Sequence, residues 1–445
     1  MIIKDRGNLR TILLCLALAT AAHAQDVAMF RGDPAHTGVY GSPGVSRLPA
    51  IKWRFHTDGR VIASPTVSGN TVYVGSTDGR LYAINIADGK ERWRFATHAR
   101  IASSAAVSDG VVYVESYDGN LYALSAATGQ RKWQFATQGE RRFAGTHLHG
   151  SVPVAERMPD PFDVFLSSPT VWQHTVYFGS GDGNVYALDA ASGRVEWKYQ
   201  TGDVVHASPA IANGTLYIGS WDSYFYALDA KTGALQWRYK AGDDPDIHNQ
   251  VGFQSSAAVV DGVVYVGCRD AQLYAFDART GQKKWSFDNK GSWVVGSPAV
   301  RDGKVYFATS DSHRIWALEA ASGKSVFEIP TRWFSFSSPA LAGNWLYVGN
   351  WDGTVTAVDL TTGKRAWVFA TEASRAHAAA HTGKDGTIDF FTEDPHFEPF
   401  YDRLVALVEQ QYSLGAIISS PIVVDGVLYV GSADGNLYAL ADQAG

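Results

Sequence analysis

The chain has 445 residues, with 38 Lys and Arg against 44 Asp and Glu, a formal net charge of −6 and an apolar fraction of 46%. A mildly acidic chain with interspersed charge is a poor nucleic-acid binder, and its length and apolar content support a large core. Beyond the first 24 residues no stretch approaches ~20 uninterrupted apolar residues, so no membrane span is expected.

Residues 1–24 read as a secretory leader. Lys4, Arg6 and Arg10 precede an apolar run over 12–22, and Ala22-His23-Ala24 gives a small-x-small cleavage site before Gln25. Cys15 is a poor lipidation site, because Leu14 stands where a small residue is needed. The expected product is a soluble exported protein, periplasmic or secreted. It loses Lys4, Asp5, Arg6 and Arg10, so its net charge falls to −8. It keeps a single cysteine, Cys268, so no internal disulfide can form. Residues 25–50 form a lead-in segment, and one domain fills 51–445.

From Ser64 onward the chain repeats itself. The unit recurs from Ser104, Ser168, Ser208, Ser256, Ser297, Ser338 and Ser420, at gaps of 40, 64, 40, 48, 41, 41 and 82 residues. A period near forty built of short alternating strands predicts a β-propeller of eight four-stranded blades. In the first unit the strands are expected at 63–67, 72–75, 81–85 and 92–95. Asp-Gly or Asn-Gly pairs such as Asp109-Gly110 and Asn213-Gly214 suit the first hairpin turn. The second turn reads Ser-x-Asp-Gly, and the third carries a glycine followed four residues later by an aromatic. Those aromatics are Trp93, Trp133, Trp197, Trp237, Trp285, Phe327 and Trp367. Repeating in register with the scaffold, each is expected to anchor its blade on the neighbour. The eighth unit ends at Leu440 after three strands, while Trp53-Arg54-Phe55 precedes the first unit without one of its own. Outer strand 53 and its neighbours are expected to complete the last blade and close the ring, leaving no open edge.

The Ala-x-x-x-x-x-Gly-x-x-x-Trp pattern (Ala83, Gly89, Trp93; Ala187, Gly193, Trp197) resembles the tryptophan-docking motif of the pyrroloquinoline quinone-like repeat family. That family includes quinoprotein alcohol dehydrogenases and the propeller of the outer-membrane-protein assembly machinery. The resemblance covers residues 50–440, and Phe30-Arg31-Gly32-Asp33-Pro34-Ala35-His36-Thr37-Gly38 is similar to the lead-in of secreted members. It implies the fold, and it leaves the cofactor open, since many members hold no quinone.

Three insertions, near 135–165, 240–254 and 371–416, all fall in blade-to-blade connections, so they share one face; the opposite face is expected to carry only tight turns. Long connections on a rigid ring are where function concentrates. Nine of the thirteen histidines lie in these connections: His56, His98, His147, His149, His206, His248, His377, His381 and His396. His147 and His149 have chelating spacing, and His377 and His381 would share one helical face, but no Cys or carboxylate spacing completes a metal set. A second set is aromatic and basic. Tyr117, Trp221, Arg269 and Trp351 occupy second turns, with Arg100, Trp293, Arg332 and Trp333 in the connections. Flat rings beside guanidinium groups suit a sugar, an aromatic cofactor or a peptide, and equally suit packing beneath the insertions. The last insertion reads partly as a lid helix. Asp394-Pro395 opens it, an apolar stripe (Phe397, Phe400, Tyr401, Leu404, Leu407, Val408) runs along it, and Gly415 lies beyond its end.

No serine-hydrolase elbow, phosphate loop, dinucleotide fingerprint or haem-attachment motif occurs. The leading expectation is therefore a monomeric binding or scaffold protein whose inserted face takes a cell-envelope protein, peptide or glycan. The resemblance implies an alternative, an alcohol or sugar dehydrogenase holding the quinone with calcium. Trp221, Trp293 or Trp351 would then form one side of the quinone site, but Cys268 has no neighbouring cysteine to form the disulfide side. A third expectation is a polysaccharide-binding or -cleaving propeller, with His206 or His248 beside Arg269 or Arg332.

Overall fold

The computed structural model describes residues 26–242, 251–388 and 400–442. The leader call on residues 1–24, His248, His396 and the Asp394-Pro395 helix start lie outside them. Among the described residues, eight sheets of the repeat pattern form the ring. In the first blade the strands are Thr66–Ser68, Thr71–Gly75, Arg80–Asn85 and Glu91–Ala96, all antiparallel. The inner strand starts later than the pattern sets it because Ser64 has another partner. Each backbone N–H of the repeat serines donates to the serine hydroxyl of the next blade, at 2.8–3.2 Å, from Ser64 through Ser104, Ser168 and Ser208 to Ser256, and from Ser297 through Ser338 and Ser420 back to Ser64. A belt of buried serines therefore lines the channel and ties seven of the blade junctions.

The expected closure is present. Ala50–His56 pairs antiparallel with Asn436–Ala441, with Trp53 opposite Ala439, and completes the last blade.

The repeated aromatics dock between blades. The Trp197 ring lies where a Cβ on Gly233 would sit 2.7 Å from it, and its Nε1 donates to Ala230 O at 2.9 Å. Gly233 has φ +72, so glycine is required there twice over, by backbone and by ring. Trp53, Trp93, Trp133, Trp237 and Trp285 repeat the bond to a carbonyl of the following blade. Phe327 keeps the contact, on Gly363, without the bond. Trp367 faces the last blade, which has no third turn, and instead donates to Val45 O at 3.2 Å. Trp197→Ala is expected to destabilise the ring by about 3–5 kcal/mol. Trp197→Phe, which keeps a ring on Gly233 but loses the bond and part of the buried indole, should cost about 2 kcal/mol in urea unfolding.

The opposite face corrects the sequence expectation. It does not carry tight turns alone, because the lead-in segment crosses the channel mouth and bonds to every blade. Val27 exchanges two backbone bonds with Val67; the carbonyls of Ala28, Pro34, Ala35, Thr37 and Gly38 accept from Val107, Ile211, Val259, Val300 and Leu341. His36 Nε2 meets Thr170 Oγ1 at 3.3 Å, and Ser42 Oγ accepts from Gly426 N at 2.9 Å. Arg31 is buried at the centre of this plug and donates to Pro339 O and Pro298 O at 2.6 and 3.1 Å.

Candidate functional site

With one mouth plugged, the inserted face is the side left for chemistry. The first insertion forms a short hairpin, Ala144–Thr146 against Arg157–Pro159, and lowers its polar side chains into the ring. Asp163 Oδ1 lies 2.7 Å from His206 Nδ1, and Glu140 Oε1 lies 2.8 Å from His206 Nε2, all three side chains being fully buried. Ser180 Oγ donates to the second Glu140 oxygen at 3.1 Å, and Phe143 N donates to Asp163 Oδ2 at 2.6 Å. Burial opposes a charged His206 ring, but the Asp163 carboxylate and then Glu140 outweigh it and push the pKa up to about 9. Glu115, also buried, is pushed well above the carboxylate range by desolvation and by the charges of Glu140 and Asp182.

A second anchor lies alongside. Arg269 Nη1 donates to Asp160 Oδ2 at 2.5 Å and its Nε to Gln254 Oε1 at 3.1 Å. Its guanidinium carbon stands 4.4 Å from the Trp221 ring centre and 4.0 Å from that of Trp293. Phe143 stacks on Trp221 at 4.4 Å with 2° between the planes. Desolvation would raise the Asp160 pKa, but the Arg269 charge, with His149 3.5 Å away, holds it below the usual carboxylate range.

The sequence candidates therefore divide. His149, His206, Trp221, Arg269, Trp293, Trp333 and Trp351 are all buried beneath the insertions, the packing alternative. His147 is exposed two residues from buried His149, so the pair does not converge. His377 ends a short helix and is exposed, with His381 in the following 3₁₀ turn, which takes the two off a single helical face. Arg332 straps the last insertion to the ring through Gly386 O and Thr382 Oγ1, at 3.1 and 3.0 Å. The lid helix, Phe400–Ser413, buries Tyr401, Leu404, Leu407 and Val408 as expected; Tyr412 stacks on Trp351 at 5.8 Å. Sequence reasoning missed Glu140, Phe143, Asp160 and Asp163, the insertion's half of both anchors. Their signal was present as three acids and an aromatic within one insertion, opposite unpaired His and Arg in the repeats.

Pyrroloquinoline quinone needs an accessible ring face and calcium needs a cluster of oxygen ligands. Trp221 and Trp351 are completely buried and Trp293 nearly so. Among the described residues no group of three His, Cys, Asp or Glu is arranged to hold a metal ion. Cys268 is buried, and its thiol is pushed well up by desolvation and by Asp270. The residues present do not fit the quinone as arranged. Of the residues named for the cleavage reading, both His206 nitrogens already face carboxylates and Arg269 is closed against Asp160, while His248 lies outside the described residues.

The His206 cluster gives a pH prediction. A group whose folded pKa is raised contributes stability in full below its ordinary value near 6.5 and loses it as pH climbs through about 9. About 3 kcal/mol should be lost between pH 6 and pH 10 through this residue. His206→Gln should flatten that difference in paired urea titrations; an unchanged difference would remove the assignment.

The family model described as "Outer membrane protein assembly factor BamB" matches residues 49–156, 161–289 and 269–385. Among solved structures, BamB from Moraxella catarrhalis is 18% identical, with a TM-score of 0.62 over 89% of this chain and 98% of that one. A europium-containing methanol dehydrogenase is 15% identical, with a TM-score of 0.68 over 94% and 98%. At those identities the likeness is one of fold. A curated relative, the serine/threonine-protein kinase AfsK of Streptomyces griseus, is 41% identical over 78 residues, 16% of this chain. The chain spans only 9% of that kinase's length.

Proposed function

The chain belongs to the BamB-like, pyrroloquinoline quinone-like repeat propeller family, and on that premise we propose that it is a binding protein of the cell envelope that takes a protein or peptide partner on its inserted face. The observation that carries this reading is the internal satisfaction of the chemistry-bearing residues. His206 is held by two carboxylates, and Arg269 by a carboxylate, an amide and two indoles. Groups spent on docking an insertion do not turn over a substrate. Among the residues the insertions leave outward are four large apolar ones, Val152, Val154, Phe400 and Val405. The description of the matching family model, an outer membrane protein assembly factor, supports a protein partner. The leader pattern of residues 1–24 supports an envelope location.

The test is site-specific photo-crosslinking in cells. A photoreactive residue at Val405, on the lid helix, is expected to give a discrete adduct, and one at Asp109, on an opposite-face turn, is expected to give none. Equal adducts from both positions, or none from Val405, would overturn the reading.

A further inference from the structure

Between the first two blades, the first insertion and the lid helix lies a cleft of about 220 Å³. Arg60, Arg100 and Arg142 all line it. The three come from separate connections, at the exits of the last and first blades and in the insertion, so only the folded ring assembles them. Arg142 is fixed by donating to the carbonyls of Asp160 and Asp163. Arg60 lies 4.1 Å over the Tyr412 ring and pairs with Glu409, the only carboxylate in the lining among the described residues. Arg100 stands 3.9 Å over Tyr117 and, among the described residues, has no carboxylate partner. Apart from Thr77 and the hydroxyls of Tyr401 and Tyr412, the remaining wall is apolar, with Ile62, Pro161, Val164 and Val405.

Among the described residues, three guanidiniums against one carboxylate make the cleft lining cationic, and half-buried guanidiniums bind oxyanions through charge-assisted hydrogen bonds. The apolar wall beside them selects against a bare, fully hydrated ion. We propose that this cleft binds an oxyanion carried on an apolar body. The carboxylate of a peptide ending in an apolar residue meets that description, and so does a free aryl or alkyl carboxylic acid. The inference rests on the reading of the inserted face as a binding face and names the chemistry that face recognises.

The experiment is calorimetric titration of the intact protein with a pentapeptide ending in phenylalanine, as free acid and as amide, and with 4-phenylbutyrate. The free acids are expected to bind and the amide to bind at least about tenfold more weakly, the worth of a lost charge-assisted bond. Tighter binding of the peptide acid identifies a chain terminus as the source; tighter binding of phenylbutyrate identifies a small acid. Arg100→Gln should weaken the acids about tenfold, whereas Glu409→Gln should strengthen them severalfold by freeing Arg60. A merely structural role for these residues predicts no strengthening. Acid and amide binding alike, or an Arg100→Gln protein that binds as the parent does, would overturn the proposal. If the acids fail while the Val405 adduct persists, the anion inference falls and the binding face stands; if both fail, both fall.

Discussion

Asp160→Ala is expected to destabilise the protein by about 3–5 kcal/mol, because it leaves the Arg269 charge buried without its counter-ion. Arg269 is 1% exposed, and Asp160 is fully buried. Gln254 and the two indoles remain, but neither offers a negative charge. The loss should be strongly non-additive. In an Arg269→Met background, Asp160→Ala should cost far less, since no cation is left stranded, and the double-mutant cycle should return a coupling of about 2 kcal/mol or more. Urea unfolding of the four proteins measures it. Trypsin offers a second readout, because exposed Arg157 sits in the hairpin that Asp160 pins down. Asp160→Ala should speed cleavage there well before global unfolding. Additive single effects would mean that the insertion is not docked through this pair.

The second large effect is expected at the other mouth. Deleting residues 26–45 removes backbone bonds to blades one, two, four, five, six and seven, the Arg31 anchor and the Val45 carbonyl on which Trp367 and Tyr347 dock. At about 1 kcal/mol net per bond, with the buried charge-assisted pair worth more, the loss comes to about 10 kcal/mol or more. Ordinary domains hold about 5–15 kcal/mol in all, so the truncated ring should be marginal at room temperature. Arg31→Met isolates the anchor. It should lower stability by about 3 kcal/mol by stranding the Pro298 and Pro339 carbonyls. A truncated protein with the parent's unfolding midpoint would show that the plug rests on the ring without bracing it.

The ring itself was legible because it is written eight times. Glycine four residues before an aromatic has one physical meaning, an indole laid on a Cβ-less turn, and the missing outer strand at Leu440 pointed to Trp53. The plug was not legible, because it works through main-chain carbonyls that leave no side-chain pattern. Arg31 in isolation carries no sign that two carbonyls of later blades await it. At the inserted face the repeats disclosed one half of each contact. Trp221 and Arg269 stood out because other units carry smaller residues there, and His206 stood out as one of the histidines gathered in the connections. Their partners Glu140, Phe143 and Asp160 lie 66, 78 and 109 residues away in a segment without repeats. Sequence alone therefore left ligand binding and internal packing balanced; in the structure His206, Trp221 and Arg269 are buried against the insertion.

The claim at the centre of this account is that the insertions fill the ring mouth and leave a binding face in place of a quinone site. Calorimetric titration of the protein with pyrroloquinoline quinone, in calcium and in chelator, tests it most directly. The account predicts no calcium-dependent binding tighter than about 100 μM. Micromolar, calcium-dependent uptake with turnover of an alcohol or sugar in a dye-linked assay would contradict it, and would require the first insertion to leave the ring mouth.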